Sequence, residues 1–131
     1  MTRIGNYLLD TNIIIALFAA DPPVLEKLAQ AEAVFIPSIA LGELYYGAQK
    51  SARPVENTAH IVEFSSINTV LDCDEDTARF YGAIKNDLRA KGRPLPENDI
   101  WIGAISQQHE LILATRDRHF AEIVGLSHES W

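Results

Sequence analysis

Apolar residues along this chain fall into short continuous runs, separated by longer segments in which apolar positions recur at helical spacing. The short runs predict buried strands at residues 7–9, 33–36, 68–71 and 111–114. The longer segments predict helices at residues 13–20, 24–30, 39–49, 54–64, from 72 or 74 to about 91, from 98 or 99 to about 108, and briefly after 117.

Polar residues mark the ends of several of these helices. Ser38 is a candidate N-cap, because its hydroxyl can accept a hydrogen bond from a free helical N–H. Asp72 or Asp74 caps the helix after the third strand, and Gly92 suits the left-handed position that follows its last turn. These signals predict where the helices start and stop.

The regular alternation of strands and helices predicts an α/β fold. We expect a single domain over residues 1–131, with a parallel central sheet of four to five strands flanked by helices. Right-handed crossovers place every strand-to-helix turn at one edge of such a sheet, where ligand sites lie. Asp10 and Asp117 directly follow predicted strands, so we expect them to meet at that edge.

The composition narrows the class of protein. Hydrophobic residues make up 47 % and charged residues 22 % of the chain, which excludes a disordered or fibrous protein. The longest uncharged apolar run, residues 13–20, is much shorter than the about 20 residues that a membrane helix needs, and no signal-peptide pattern is found. The single cysteine, Cys73, excludes an intrachain disulfide and fits a reducing compartment, so we expect a cytoplasmic protein with no membrane partner.

Two further acids occupy surroundings that are unusual for a carboxylate. Glu43 and Asp99 both lie in segments made almost entirely of apolar or small residues. Each has a simpler explanation, since Glu43 could face solvent along a narrow polar strip and Asp99 could be only a helix cap. Asp10 and Asp117 could likewise be cap or turn residues.

Taken together, the four acids indicate a metal site. Two carboxylates about 4 Å apart repel by about 4 kcal/mol at an effective dielectric near 20, so acids that converge need a cation. Mg²⁺ and Mn²⁺ prefer carboxylate and water oxygens, and such sites suit phosphodiester hydrolysis. Other chemistries are poorly supported. Asp72 and Asp74 should raise the pKa of the neighbouring Cys73 thiol, which disfavours thiolate chemistry. The four histidines lack metal-ligand spacing, and the sequence contains no glycine-rich phosphate loop.

Four segments, in order and with compatible spacing over almost the whole chain, resemble PIN-domain ribonucleases and most of all the VapC-type toxins of toxin–antitoxin pairs. The segments are LLDTN at 8–12, SIALGELYYG at 38–47, PENDIWIGA at 96–104 and ATRD at 114–117. The resemblance implies a single PIN-like domain that cleaves RNA with Mg²⁺ or Mn²⁺. It implies that the metal-binding and catalytic acids are Asp10, Glu43, Asp99 and Asp117, and that polar residues beside them are Thr11, Asn12, Ser38, Asn98 and Thr115.

The resemblance also implies partners. We expect a VapB-like antitoxin whose tail lies across the protein, with the predicted helices at 24–30 and 39–49 as the walls of its groove. It further implies a homodimer, for which Tyr45, Tyr46 and Phe80 could serve as interface or as core. One departure is His109-Glu110, where many relatives carry a glycine before the last core strand; this leaves the helix end there open.

A net charge of −7 disfavours RNA, because phosphate binding is mainly electrostatic. If four acids form a metal site, however, the rest of the chain carries only −3. Residues 85–93 hold four basic residues and one acid, and two arginines flank Asp117. We expect these basic side chains to contact RNA phosphates, although they could equally form a solvated helix end whose charges complement the helix dipole. The candidates for phosphate contacts are Lys85, Arg89, Arg93, Arg116 and Arg118.

Two other functions compete with a nuclease toxin. A non-catalytic PIN-like module would only bind RNA or a partner, and the complete set of acids argues against it. A phospho-accepting receiver domain also has an acidic pocket at a sheet edge, but its pattern does not place acids such as Glu43 and Asp99 inside apolar helices.

Overall fold

The chain forms a five-stranded parallel sheet, as a computed structural model that describes residues 5–131 shows. The order across the sheet is β3-β2-β1-β4-β5, and every neighbouring pair is parallel. The strands are β1 (Asn6–Leu9), β2 (Ala33–Pro37), β3 (Thr69–Leu71), β4 (Ile112–Ala114) and β5 (His128–Glu129). The predicted α/β class and parallel sheet are therefore confirmed.

The short strand β5 was not predicted from the sequence, because it contains no run of hydrophobic residues. It has two residues and is held by backbone bonds: the N–H of Leu113 donates to Ser127 O, and the N–H of Thr115 donates to Glu129 O. Such pairing depends on tertiary position rather than on local sequence.

Within residues 5–131, six α-helices and one 3-10 helix connect the strands. They are α1 (Thr11–Phe18), α2 (Pro22–Gln30), α3 (Ser38–Gln49), α4 (Pro54–Ser66), α5 (Glu75–Ala90), α6 (Glu97–Gln108) and the 3-10 helix Arg118–Glu122. Asp74 caps α5 through a capping box with Thr77, as one of the two candidates predicted. The predicted N-cap at Ser38 is wrong, because Pro37 takes the cap position and Ser38 is the first helical residue.

Helix α6 begins earlier than its polar residues suggested. Pro96 is its N-cap, so Asn98 and Asp99 lie within the first turn rather than before it. The helix ends at Gln108, and Glu110 then adopts a left-handed conformation with φ of +54°. This position normally favours glycine, and here a glutamate closes the helix instead.

The core consists of two apolar layers, one on each face of the sheet. Successive residues of β1 point to opposite faces: Leu8 packs in one layer and Leu9 in the other, and both are fully buried. Helices α1 to α4 contribute to the layer that contains Leu9, and α5 and α6 to the layer that contains Leu8. No helix within residues 5–131 is long and apolar enough to cross a membrane.

Candidate active site at the carboxyl edge of the sheet

Two of the predicted acids follow neighbouring strands. Asp10 comes directly after β1, is 5 % exposed and caps α1, and Asp117 comes shortly after β4 and caps the 3-10 helix. Since β1 and β4 are paired in parallel, both acids lie at the same edge of the sheet. The other two acids lie on helices: Glu43 is half-buried on α3, and Asp99 is half-buried in the first turn of α6.

Two threonines hold these acids in place. Thr115 is 3 % exposed; its hydroxyl donates to Asp10 Oδ2 at 2.7 Å and accepts from the backbone N–H of Asp117 at 3.0 Å. The backbone N–H of Thr11 donates to Asp10 Oδ1 at 2.8 Å, and the Thr11 hydroxyl donates to Glu43 Oε1 at 2.9 Å. Three acids are thus connected through neutral donors rather than through cations.

The four carboxylates are close enough to repel one another electrostatically. Burial raises the pKa of Asp10 against the lowering effect of its hydrogen bonds from Thr115 and Thr11, and repulsion from Glu43 and Asp117 adds to the rise. Burial, followed by repulsion from Asp10, Asp117 and Glu43, raises the pKa of Asp99 to about 6. The fold therefore brings together all four acids that the sequence singled out.

The donor chemistry of this cluster fits a hard divalent cation. It offers only carboxylate and hydroxyl oxygens, and after burial the repulsion from Asp10, Asp117 and Glu43 raises the pKa of Asp99. Within residues 5–131, no three histidine, cysteine, aspartate or glutamate side chains are placed so that they could hold a metal ion together. The residues that could hold a metal here are Asp10, Glu43, Asp99 and Asp117.

The remaining polar candidates differ in their contacts. Asn12 Oδ1 accepts from the backbone N–H of Arg116 at 3.3 Å, which connects α1 to the turn before Asp117. Ser38 is half-buried and Asn98 is exposed, and neither side chain makes a hydrogen bond to another described residue. Thr11 and Thr115 contact the acids directly, whereas Asn98 does not.

The predicted phosphate contacts divide into bound and available cations. Lys85 Nζ lies 2.6 Å from Glu97 Oε1 and also donates to Tyr81. Arg116 donates from Nε to the carbonyl of Trp131 at 2.7 Å and forms an ion pair with Asp21 at 3.0 Å. The other three candidates, Arg89, Arg93 and Arg118, are exposed, and their side chains make no ion pair or hydrogen bond within residues 5–131.

Sequence reasoning missed two contacts of the site. His119 Nδ1 lies 2.9 Å from Asp117 Oδ1, which also accepts from the backbone N–H of His119. An aspartate followed two residues later by histidine is the signal that could have revealed this turn. The contact of Arg116 with Asp21 and with the chain's last residue had no such local signal, because both partners are distant in sequence.

An apolar groove begins at the acid cluster. It has a volume of about 230 Å³, runs between α1, α3 and α4, and has Glu43 in its wall. Its apolar lining includes Ile15, Phe18, Leu44 and Ile61. Helices α3 and α4 line this groove, whereas α2, which was expected together with α3 to form the walls of an antitoxin groove, does not line it.

Comparisons with known proteins agree with this fold. The PIN domain family matches residues 7–126. Ribonuclease VapC2 of Haemophilus influenzae is 39 % identical over 129 residues, which cover 96 % of this chain and 98 % of the relative. The tRNA(fMet)-specific endonuclease VapC of Shigella flexneri is 36 % identical over 130 residues, which cover 96 % and 98 % of the two chains.

A solved structure gives the same result in three dimensions. DNA-bound VapBC from Salmonella typhimurium superposes with a TM-score of 0.88 at 33 % identity, covering 100 % of this chain and 99 % of the other. Sequence and fold therefore agree along nearly the whole length. The chain belongs to the PIN-domain family and, within it, to the VapC ribonucleases.

Proposed function

We propose that this protein is a metal-dependent endoribonuclease toxin that hydrolyses RNA phosphodiester bonds and is neutralised by a VapB antitoxin. The observation that carries the proposal is the convergence of four acids at the carboxyl edge of the sheet, where Asp10, Asp117 and Glu43 add to the effect of burial in raising the pKa of Asp99 to about 6. Relatives named as ribonucleases, one of them 39 % identical, support the same activity. We infer that the protein acts in the cytoplasm.

In this proposal, Mg²⁺ or Mn²⁺ is held by Asp10, Glu43, Asp99 and Asp117. When bound, such an ion lowers the pKa of a water and offsets charge on the scissile phosphate. The threonines orient the acids: Thr115 holds Asp10 and the turn of Asp117 together, and Thr11 joins Asp10 to Glu43. Asp99 gives up its proton close to neutral pH, so a cation competes with that proton for its oxygens.

The proposed substrate class is RNA, in keeping with the printed names of the relatives, one of which is specific for tRNA(fMet). Arg89 and Arg93 are exposed and uncommitted within residues 5–131, so they are better placed to meet phosphates than Lys85, whose charge Glu97 offsets. We expect Arg89→Ala with Arg93→Ala to weaken RNA binding and to flatten its salt dependence by up to about 0.7 per lost contact. An unchanged salt slope in a binding titration would refute these contacts.

We propose that the tail of the antitoxin binds in the groove between α1, α3 and α4. Its apolar wall suits apolar side chains of a tail, and Glu43 in that wall leads into the acid cluster. An arginine of the tail inserted there would form paired hydrogen bonds with two carboxylates. Solved VapBC complexes of relatives support a partner of this type.

A homodimer is also proposed, and exposed aromatic side chains at the surface support it. Tyr46 is 66 % exposed and Phe80 is 37 % exposed, whereas Tyr45 packs against the core. The exposed rings suit an interface, because aromatic residues are enriched at interface centres. Light scattering on the purified protein tests this state, and a monomer at all concentrations would refute it.

Cleavage of a labelled RNA tests the main proposal. We expect cleavage with Mg²⁺ or Mn²⁺, none with EDTA, and a loss of most activity in Asp99→Asn, because an amide carries no charge to hold the ion. Asp99→Asn protein purified in the same way is the control for contaminating nuclease. RNA binding without cleavage by the wild type would instead favour the non-catalytic module, and equal cleavage by both proteins would refute the role of the acids.

A further inference from the structure

A second cavity lies beside the acid cluster, on the side of the C-terminal strand. It has a volume of about 580 Å³, within the range of small-ligand sites, and it shares Thr115 and Asp117 with the cluster. Its other walls come from the turn after β4, the 3-10 helix and the segment around β5. Those walls carry Arg116, Arg118, Ala121, His128 and Ser130.

Hydrogen-bond donors dominate these walls. Arg118 and His128 are exposed, and neither side chain has an ion pair or hydrogen-bond partner within residues 5–131. The Arg116 side chain is already bound to Asp21 and to the carbonyl of Trp131, so it lines the cavity but is not free to bind an anion. Guanidinium, imidazole and hydroxyl groups around one space suit an anion with several oxygens, and phosphate has that form.

We propose that this cavity, the Arg118 cavity, binds the RNA backbone phosphate of a nucleotide next to the scissile bond. The inference rests on the proposed function and adds a named subsite to it. Because Thr115 and Asp117 line both spaces, an RNA strand that crosses the acids carries a neighbouring phosphate into the reach of Arg118 and His128.

Asp117 sets a condition on this binding. Its carboxylate lines the cavity and repels a phosphate as long as its charge is not balanced. His119 is bonded to the same carboxylate, on the exposed side. RNA therefore enters the Arg118 cavity best when the charge of the acid cluster is reduced, by a bound cation or by substitution.

The test measures binding of a short labelled single-stranded RNA as a function of salt. The parent protein is Asp99→Asn, which lowers the charge of the cluster and prevents cleavage, and the variant adds Arg118→Ala. We expect the variant to bind more weakly and its salt slope to be flatter by about 0.7. Between about 50 and about 200 mM salt, the parent should thus lose roughly 2.6-fold more affinity than the variant.

Two further variants separate a specific contact from net charge. Arg118→Lys keeps a cation in the cavity and should keep most of the slope, while His128→Ala should weaken binding in the same direction as Arg118→Ala. Arg53→Ala removes the same formal charge at the start of α4, which packs against α3 and the edge strand β3, opposite the edge strand β5 near the Arg118 cavity; Arg53 pairs with Glu56 there, and its loss should leave the slope unchanged. An Arg118→Ala slope equal to that of the parent, or an equal flattening by Arg53→Ala, would overturn the proposal.

Cleavage kinetics distinguish a failure of the subsite from a failure of the proposed function. In the otherwise wild-type protein, Arg118→Ala should raise the RNA concentration at half-maximal rate and leave the maximal single-turnover rate nearly unchanged. If the maximal rate collapses while RNA affinity is unaltered, Arg118 acts elsewhere and the subsite is wrong. If the wild type cleaves no RNA, the nuclease proposal fails, and the salt-slope comparison still decides whether the cavity binds phosphate.

Discussion

Replacing Asp99 by asparagine should make the metal-free protein more stable, although it removes the activity. In the folded protein, burial and three neighbouring acids raise the pKa of Asp99 from its ordinary value of 3.8 to about 6. Folding therefore favours the protonated side chain. Above a pH of about 6, the folded state must hold a charge that the unfolded chain carries at no such cost.

The size of the effect follows from the shift in pKa. At about 1.36 kcal/mol per unit, the shift corresponds to at most about 3 kcal/mol. Asp99 is only half-buried, so solvent screens part of this repulsion, and we expect Asp99→Asn to raise the free energy of unfolding by about 1–2 kcal/mol near pH 8. Near pH 4 the difference should largely vanish, because the folded wild type is then protonated.

Urea denaturation in EDTA at both pH values measures this difference. Asp72→Asn is the matched control: Asp72 is exposed, does not contribute to the raised pKa of Asp99, and should shift stability little. Added Mn²⁺ should stabilise the wild type by about 2.7 kcal/mol at 100 times its Kd and Asp99→Asn far less. Destabilisation by Asp99→Asn at high pH, or equal stabilisation of both proteins by Mn²⁺, would refute the electrostatic reasoning.

Three other outcomes follow from the same contacts. Thr115→Val, which removes one donated and one accepted hydrogen bond at the site, should cost about 1–3 kcal/mol in urea denaturation, and Thr115→Ser should restore most of it. Glu110→Gly should stabilise the fold by up to about 1 kcal/mol, because φ is +54° there, whereas His109→Gly, at φ of −98°, should destabilise it; the reverse order would contradict this account. Antitoxin affinity, measured by calorimetry, should fall as Mn²⁺ rises and in Asp10→Asn with Asp99→Asn; an affinity indifferent to both would mean that inhibition does not use the acids.

The sequence predicted the sheet and its flanking helices because their signals are local and repeated. Runs such as residues 7–9 are apolar enough to require burial, and alternation with helices leaves few topologies other than a parallel sheet. Helix starts were less predictable. Proline precedes or opens several helices. As a result, α3 begins at Ser38, the residue that was expected to cap it, and α6 begins one or two residues before Asn98 or Asp99.

For the site, position relative to the strands was the useful signal. Asp10 and Asp117 are 107 residues apart, and their meeting follows from parallel topology alone. What could not be predicted was which polar neighbours reach the acids. Thr115 and Thr11 do so and Asn98 does not, since that outcome depends on a side-chain direction fixed by packing. The ion pairs that occupy Lys85 and Arg116 also join distant segments and left no local pattern.

The distribution of basic residues explains how the acid cluster keeps its charge. Within residues 5–131, Arg116 pairs with Asp21 and Lys85 with Glu97, and the described basic group that contacts an acid of the cluster is the imidazole of His119, 2.9 Å from Asp117. Threonine hydroxyls, which are neutral, make the contacts that an arginine would otherwise make. A carboxylate cluster arranged in this way is costly to fold, and a cation from outside the chain would reduce that cost. In the proposed function, a metal ion and an arginine of a partner protein would both supply that cation, so the same cluster would serve catalysis and its inhibition.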